Sequence, residues 1–127
     1  MDDWHNIPEN IEDYMGFVYL VVAPNKMMYV GKKLFWSNKK LKPLKGKVKN
    51  RRQWKETDWR TYCGSSNAML ELKRTHANGW ERYILRCCMS KWELSWVELK
   101  MQIYLNTLTD NRFYNSMIHV RLNQPPQ

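Results

Sequence analysis

The feature that most narrows what this chain can fold into is a pair of β-prone runs set around one turn. Gly16-Phe17-Val18-Tyr19-Leu20-Val21-Val22-Ala23 is rich in β-branched and aromatic side chains. Pro24-Asn25-Lys26 follows as turn chemistry, since proline presets φ and asparagine tolerates a left-handed backbone. Met27-Met28-Tyr29-Val30 reads as a second strand that stops at Gly31. The spacing predicts a β-hairpin. It sets Tyr19 and Tyr29 ten residues apart on the two strands, where their hydroxyls can converge on one face. Taken alone, such tyrosines are packing residues with an exposed hydroxyl tip.

The rest of the chain divides around this hairpin. Residues 1–13 carry five acids, no Lys or Arg and few large apolar side chains, and read as a loosely held acidic arm that could lie against basic surface. Residues 32–60 include Pro43 and Gly46 and lack a sustained apolar period, which predicts a long basic loop with at most short helical pieces. Ser65 or Ser66 can cap a helix whose apolar positions include Met69 and Leu72, and which Asn78-Gly79 would end. Residues 80–88 read as a third strand. Ser90-Lys91-Trp92-Glu93 is a capping box that opens a last helix running to about Asn106. The order β-β-loop-α-β-α predicts a single α+β domain over residues 1–127, with a small antiparallel three-stranded sheet flanked by helices.

Charge narrows the partner. The chain of 127 residues has a formal net charge of +9, and residues 32–60 hold twelve Lys or Arg against two acids. The excess basicity is therefore confined to one stretch: Lys32, Lys39, Lys40, Lys42, Lys45, Lys47, Lys49, Arg51 and Arg52 are its candidate phosphate contacts. Concentrated positive charge is the footprint of a polyanion site, with nucleic acid the commonest partner. Phe35, Trp36, Trp54 and Trp59 in the same stretch suit stacking or packing. No apolar run approaches a membrane span, and the acidic N-terminus is unlike a signal peptide, so a cytoplasmic protein is expected. Three cysteines, two of them adjacent, make no disulfide framework and fit a reducing compartment.

Cutting a phosphodiester usually needs a carboxylate to hold a divalent metal. Glu93 has a local role as the capping partner, but Glu98 does not. It sits on the otherwise apolar stripe Leu94, Glu98, Met101, Leu105, where a carboxylate needs a cation or a metal. Lys32 and Lys33 follow Gly31, where open backbone lets a phosphate approach closely. A zinc site from Cys63, Cys87, Cys88 and His76 is disfavoured, because adjacent residues on a strand face opposite ways.

Phe17-Val18-Tyr19, then Tyr29-Val30-Gly31, a late helix with Glu98, and Tyr114-Asn115 together resemble the GIY-YIG nuclease family. The stretch Tyr29-Val30-Gly31-Lys32-Lys33, with Asp58-Trp59-Arg60-Thr61-Tyr62-Cys63-Gly64-Ser65-Ser66, resembles its phage-encoded, Seg-like homing endonuclease branch. Tyr62-Cys63-Gly64 also echoes Tyr29-Val30-Gly31. The resemblance covers about residues 16–118 and departs at Phe17, where the family has glycine. It also departs in the long basic insertion after the second strand and in lacking a separate DNA-reading tail.

The resemblance implies a DNA endonuclease with Mg²⁺ or Mn²⁺ on Glu98, and Asn115 bracing the site by hydrogen bonds. Tyr19 or Tyr29 would orient or deprotonate the attacking water, with a phenol pKa lowered by a lysine such as Lys33. The family's transition-state cation has three candidates in Lys33, Arg60 and Arg74, with His76 as the accompanying histidine. The products would be a 5′-phosphate and a 3′-hydroxyl. The competing expectation is a non-catalytic nucleic-acid-binding protein on the same fold; the oligomeric state and biological role stay open.

Overall fold

The computed structural model describes residues 2–41, 46, 51–116, 118 and 122–125. The hairpin forms as its sequence predicts, from β1 (Gly16–Val22) and β2 (Met28–Leu34), paired antiparallel with Tyr19 opposite Gly31. The turn is closed by Asn25 Oδ1, which accepts from Met27 N at 3.1 Å, and by Lys26 in a left-handed conformation (φ 70°). Trp36–Leu41 forms β3 and Arg51–Glu56 forms β4. After a 3₁₀ turn at Trp59–Thr61 come helix α1 (Asn67–Thr75), β5 (Glu81–Cys88) and helix α2 (Lys91–Tyr104). β1 lies at the centre of a three-stranded antiparallel sheet in the order β2-β1-β5.

The expected loop over residues 32–60 is corrected by β3 and β4, which pair as a separate antiparallel ribbon from Trp36 opposite Glu56 to Leu41 opposite Arg51. Strand sequence is recognised by an apolar face that alternates, and this ribbon has charged residues at half of its positions. Backbone pairing forms it without leaving that signature.

Alternation along β1 and β2 sends side chains to two cores. Phe17, Tyr19, Val21 and, partly buried, Tyr29 face an aromatic core with Trp4, Phe35, Trp59 and Met69. Val18 and Val30 face α2, where Leu94 and Val97 meet them and Met101 and Leu105 pack alongside. Phe17, standing where the family has glycine, is fully buried, its ring 4.8 Å from Phe35 and 5.1 Å from Trp4. Such a side chain is worth about 3–5 kcal/mol against truncation to alanine.

The N-terminal arm is docked rather than loose. Trp4 is buried with its indole N–H on Trp59 O (2.8 Å), and His5 pairs in parallel with Tyr83 of β5. Farther on, Glu12 and Asp13 lie beside Trp36 and Trp54 of the basic segment. A single tryptophan thus outweighs the polar composition around it.

One helix end, that of α1, falls short of expectation. α1 stops at Thr75 and Gly79 turns the chain only afterwards (φ 90°), while α2 ends at Tyr104 and Asn106 adopts φ 55°. At the start of α2, Ser90 Oγ accepts from Glu93 N (3.1 Å), the half of the capping box that fixes the helix start. No helix among the described residues is long and apolar enough to cross a membrane.

Candidate active site

β2 is the outer strand of the three-stranded sheet, so side chains from both of its faces can reach round its outer edge. Two adjoining cavities of about 410 and 310 Å³ lie there, and Tyr29, Ser65 and Glu98 line both. The smaller adds Tyr19, Gly31, Lys32 and Ser95. The larger adds Asn115 and the start of α1, whose amide dipoles favour an anion. The fold thus brings together Tyr19, Tyr29, Glu98 and Asn115, which lie far apart in sequence.

Each side chain has a local cause. Tyr19 is 1% exposed, yet its hydroxyl reaches the cavity because residue 31, directly opposite, is glycine. The β1–β5 register also shifts between Val18 and Tyr19, a bulge of the kind that re-aims a side chain. Burial first, then the neighbouring Tyr62 and Tyr29 phenols and Glu98, push the Tyr19 pKa well above its ordinary value. Tyr19 is therefore a neutral phenol, so at this one of the two candidate tyrosines the shift runs opposite to the lysine-lowered pKa expected for Tyr19 or Tyr29. Tyr29 is held differently, its Oη 3.2 Å from Ser65 Oγ. Gly64 (φ 109°) lies against the Tyr29 ring, where a Cβ would stand 3.2 Å from Cδ1. Glu98 sits half-buried on the face of α2 that also carries Leu94, as its stripe predicts.

Asn115 acts on backbone. Its Oδ1 accepts from Val30 N (3.0 Å) and its Nδ2 donates to Val30 O (2.8 Å), so it mimics a neighbouring strand at the residue between Tyr29 and Gly31. Buried Gln102 adds a second donor to Val30 O (3.3 Å). Arg112 O and Tyr114 N pair with Met28 in the same way, which seals this part of the β2 edge.

The cations separate by strand alternation. Lys32 points to the α2 side, lines the smaller cavity and donates to Ser95 Oγ (2.8 Å). Lys33 points to the opposite face, where it pairs with Asp58 (2.7 Å), lies 4.2 Å from the centre of the Tyr62 ring and holds the Asp58 carboxyl below its usual pKa. Arg60 pairs with Glu56 and Arg74 with Glu71, both on the surface. None of these last three lines either cavity. Ser95 and Gln102 carry no motif and sequence reasoning does not find them; Ser65, read as a helix cap within the family-like stretch, and Lys32, set after Gly31, have site roles that only the packing shows.

The side chains of Lys39, Lys40, Arg51 and Arg52, and residues Lys42, Lys45, Lys47 and Lys49 entirely, lie outside the described residues. Among the described residues no three or more of His, Cys, Asp and Glu group to hold a metal, and Cys87 and Cys88 face different cores. One carboxylate among hydroxyls beside open volume is nevertheless a donor set that fits Mg²⁺, which binds through one or two carboxylates and keeps waters.

The small α+β domain thus sets two tyrosines, a lysine and one glutamate at the outer edge of its three-stranded sheet. Residues 3–118 match the family model described as "Putative endonuclease segE, GIY-YIG domain". The chain belongs to this GIY-YIG endonuclease-domain family. Searches of curated proteins and of solved structures gave no match.

Proposed function

We propose that this chain is a divalent-metal-dependent DNA endonuclease that cuts phosphodiester bonds by hydrolysis, in a phage homing or DNA-competition role. The observation that carries this reading is the convergence of Tyr19, Tyr29, Lys32 and Glu98 on one cavity. Tyr29, its hydroxyl oriented by Ser65, positions the attacking water. Tyr19, protonated throughout the neutral range and hydrogen-bonded with Tyr62, lines the site as a neutral phenol. The Lys32 ammonium faces the charge that builds on the phosphate. Asn115 keeps β2 straight at Val30 and so fixes the spacing of Tyr29 and Gly31. Glu98 would hold Mg²⁺ or Mn²⁺, which when bound supplies Lewis acidity to a phosphate oxygen. The products are a 5′-phosphate and a 3′-hydroxyl, and the basic segment at 32–60 supplies sequence-independent affinity.

The test is Glu98→Gln, which is close to isosteric and removes the charge. Plasmid cleavage in Mg²⁺ should disappear while DNA binding in EDTA stays within about threefold, because phosphate contacts lie elsewhere. Glu93→Gln is the control and should cut normally. Cleavage by Glu98→Gln at the wild-type rate would remove the metal assignment.

A further inference from the structure

Beside the catalytic cavity runs a third depression, of about 540 Å³, that the cutting chemistry does not use. β2 contributes Lys32 and Lys33 to its wall, β3 contributes Trp36 and Ser37, and the first turns of α2 contribute Lys91 and Ser95. It adjoins the smaller of the two site cavities, since Lys32 and Ser95 line both. Its described lining includes Lys32 and Lys91, together with Lys33, whose ammonium is paired with Asp58 on the other face of β2, and no carboxylate.

Trp36 also walls a different cavity, of about 400 Å³, and the comparison is informative. That cavity has Glu12 and Asp13 on its lining and no Lys or Arg among its described residues. Two depressions thus share one tryptophan, and charge opens one of them to a polyanion and closes the other. The cationic one adjoins the cavity lined by Tyr19, Tyr29 and Glu98.

We propose that this groove is the track for the phosphodiester backbone of the DNA beside the cut, with Lys32 at its inner end and Lys91 at its outer end. The proposal rests on the nuclease reading, whose site it extends. Ammonium and hydroxyl groups are what phosphate oxygens take as partners, and contacts of this kind set the position of a duplex without reading its sequence. Lys91 lies in the first turn of α2, where the helix dipole adds to the attraction for an anion. Lys33, whose ammonium lies against Asp58 and the Tyr62 ring on the other face of β2, is not one of the groove's phosphate contacts.

The experiment separates binding from cutting. Binding of a fluorescent duplex is measured in EDTA across a salt series, and cleavage is measured separately in Mg²⁺ at saturating DNA. Lys91→Glu is the variant, since a glutamate in the first turn of a helix suits the dipole and preserves the fold, which a thermal melt checks. It should weaken binding about tenfold at low salt and flatten the salt dependence by about 0.9 log units, the share of one phosphate contact. Its turnover at saturation should match wild type, and Lys26→Glu, at the hairpin turn, should change neither quantity. Wild-type affinity and slope in Lys91→Glu would overturn the groove while leaving the nuclease reading intact. A wild-type protein that binds but never cuts, with Lys91→Glu weakened, would overturn the nuclease reading and keep the groove. Absence of binding by the wild-type protein would sink both.

Discussion

Gly31 lies directly across the β1–β2 pair from Tyr19, and the Tyr19 phenol fills the space that a side chain at residue 31 would need. A Cβ there would overlap the hydroxyl and stand 2.7 Å from Tyr19 Cζ and 3.0 Å from Tyr29 Cε1. The glycine is required here for close approach, and the two tyrosines share the room it leaves. Gly31→Ala should therefore push the Tyr19 ring out of register, costing about 1–3 kcal/mol of stability as overpacking does. Cleavage should fall by at least about tenfold beyond what the lost fold accounts for, since a small misplacement in a site is costly. Thermal melts beside single-turnover rates measure the two effects, and an alanine variant with wild-type rate and stability would contradict the packing described.

The paired lysines after Gly31 should behave oppositely. Lys32→Ala removes the ammonium that lines the catalytic cavity and should lower the single-turnover rate by about 10²-fold, the scale of losing one charge-stabilising group. Lys33→Ala breaks a pair with a largely exposed Asp58, worth up to about 1 kcal/mol of stability, and should leave the rate within a few-fold of wild type. Equal rate losses in the two variants would reject the assignment by strand face.

Asn115→Ala would strip Val30 N–H of its partner inside the protein, while Val30 O keeps Gln102. A buried amide left unpaired costs about 1–3 kcal/mol. The edge of β2 should loosen next to Tyr29, so cleavage and melting temperature should drop together. Hydrogen exchange at the Val30 amide should be slow in wild type and faster in the variant, and reads the clamp directly.

The raised Tyr19 pKa has a signed consequence. Because the folded protein keeps this proton to higher pH than the unfolded chain, the stabilisation is complete below the ordinary value of 10.0 and declines as pH rises beyond it. Ultraviolet titration of wild type against Tyr19→Phe should show no phenolate from Tyr19 up to that pH. Phenolate appearing near neutrality would restore Tyr19 as a base. The pH dependence of cleavage below pH 9 should accordingly be the same in shape for wild type and for Tyr19→Phe, with only the rate lowered.

Much was legible in the linear chain because it depends on neighbours in sequence. The hairpin follows from two β-prone runs and Pro24-Asn25-Lys26, and α2 from Ser90 and the spacing of Leu94, Glu98, Met101 and Leu105. The order of Tyr19, Tyr29, Glu98 and Asn115 was enough to suggest the family that residues 3–118 match. Other features were decided only where distant segments meet. Trp4 turns a polar arm into core because Trp59 offers its carbonyl, and β3 finds β4 through backbone pairing that charged side chains do not advertise. Lys32 faces α2 and Lys33 faces Tyr62 because side chains alternate along a strand, and which side holds the site is set by where α2 packs. Residue types specify what chemistry each group can perform, whereas burial, pairing and facing, which govern the protonation of Tyr19 and the placing of Ser65 against Tyr29, exist only in the packed chain.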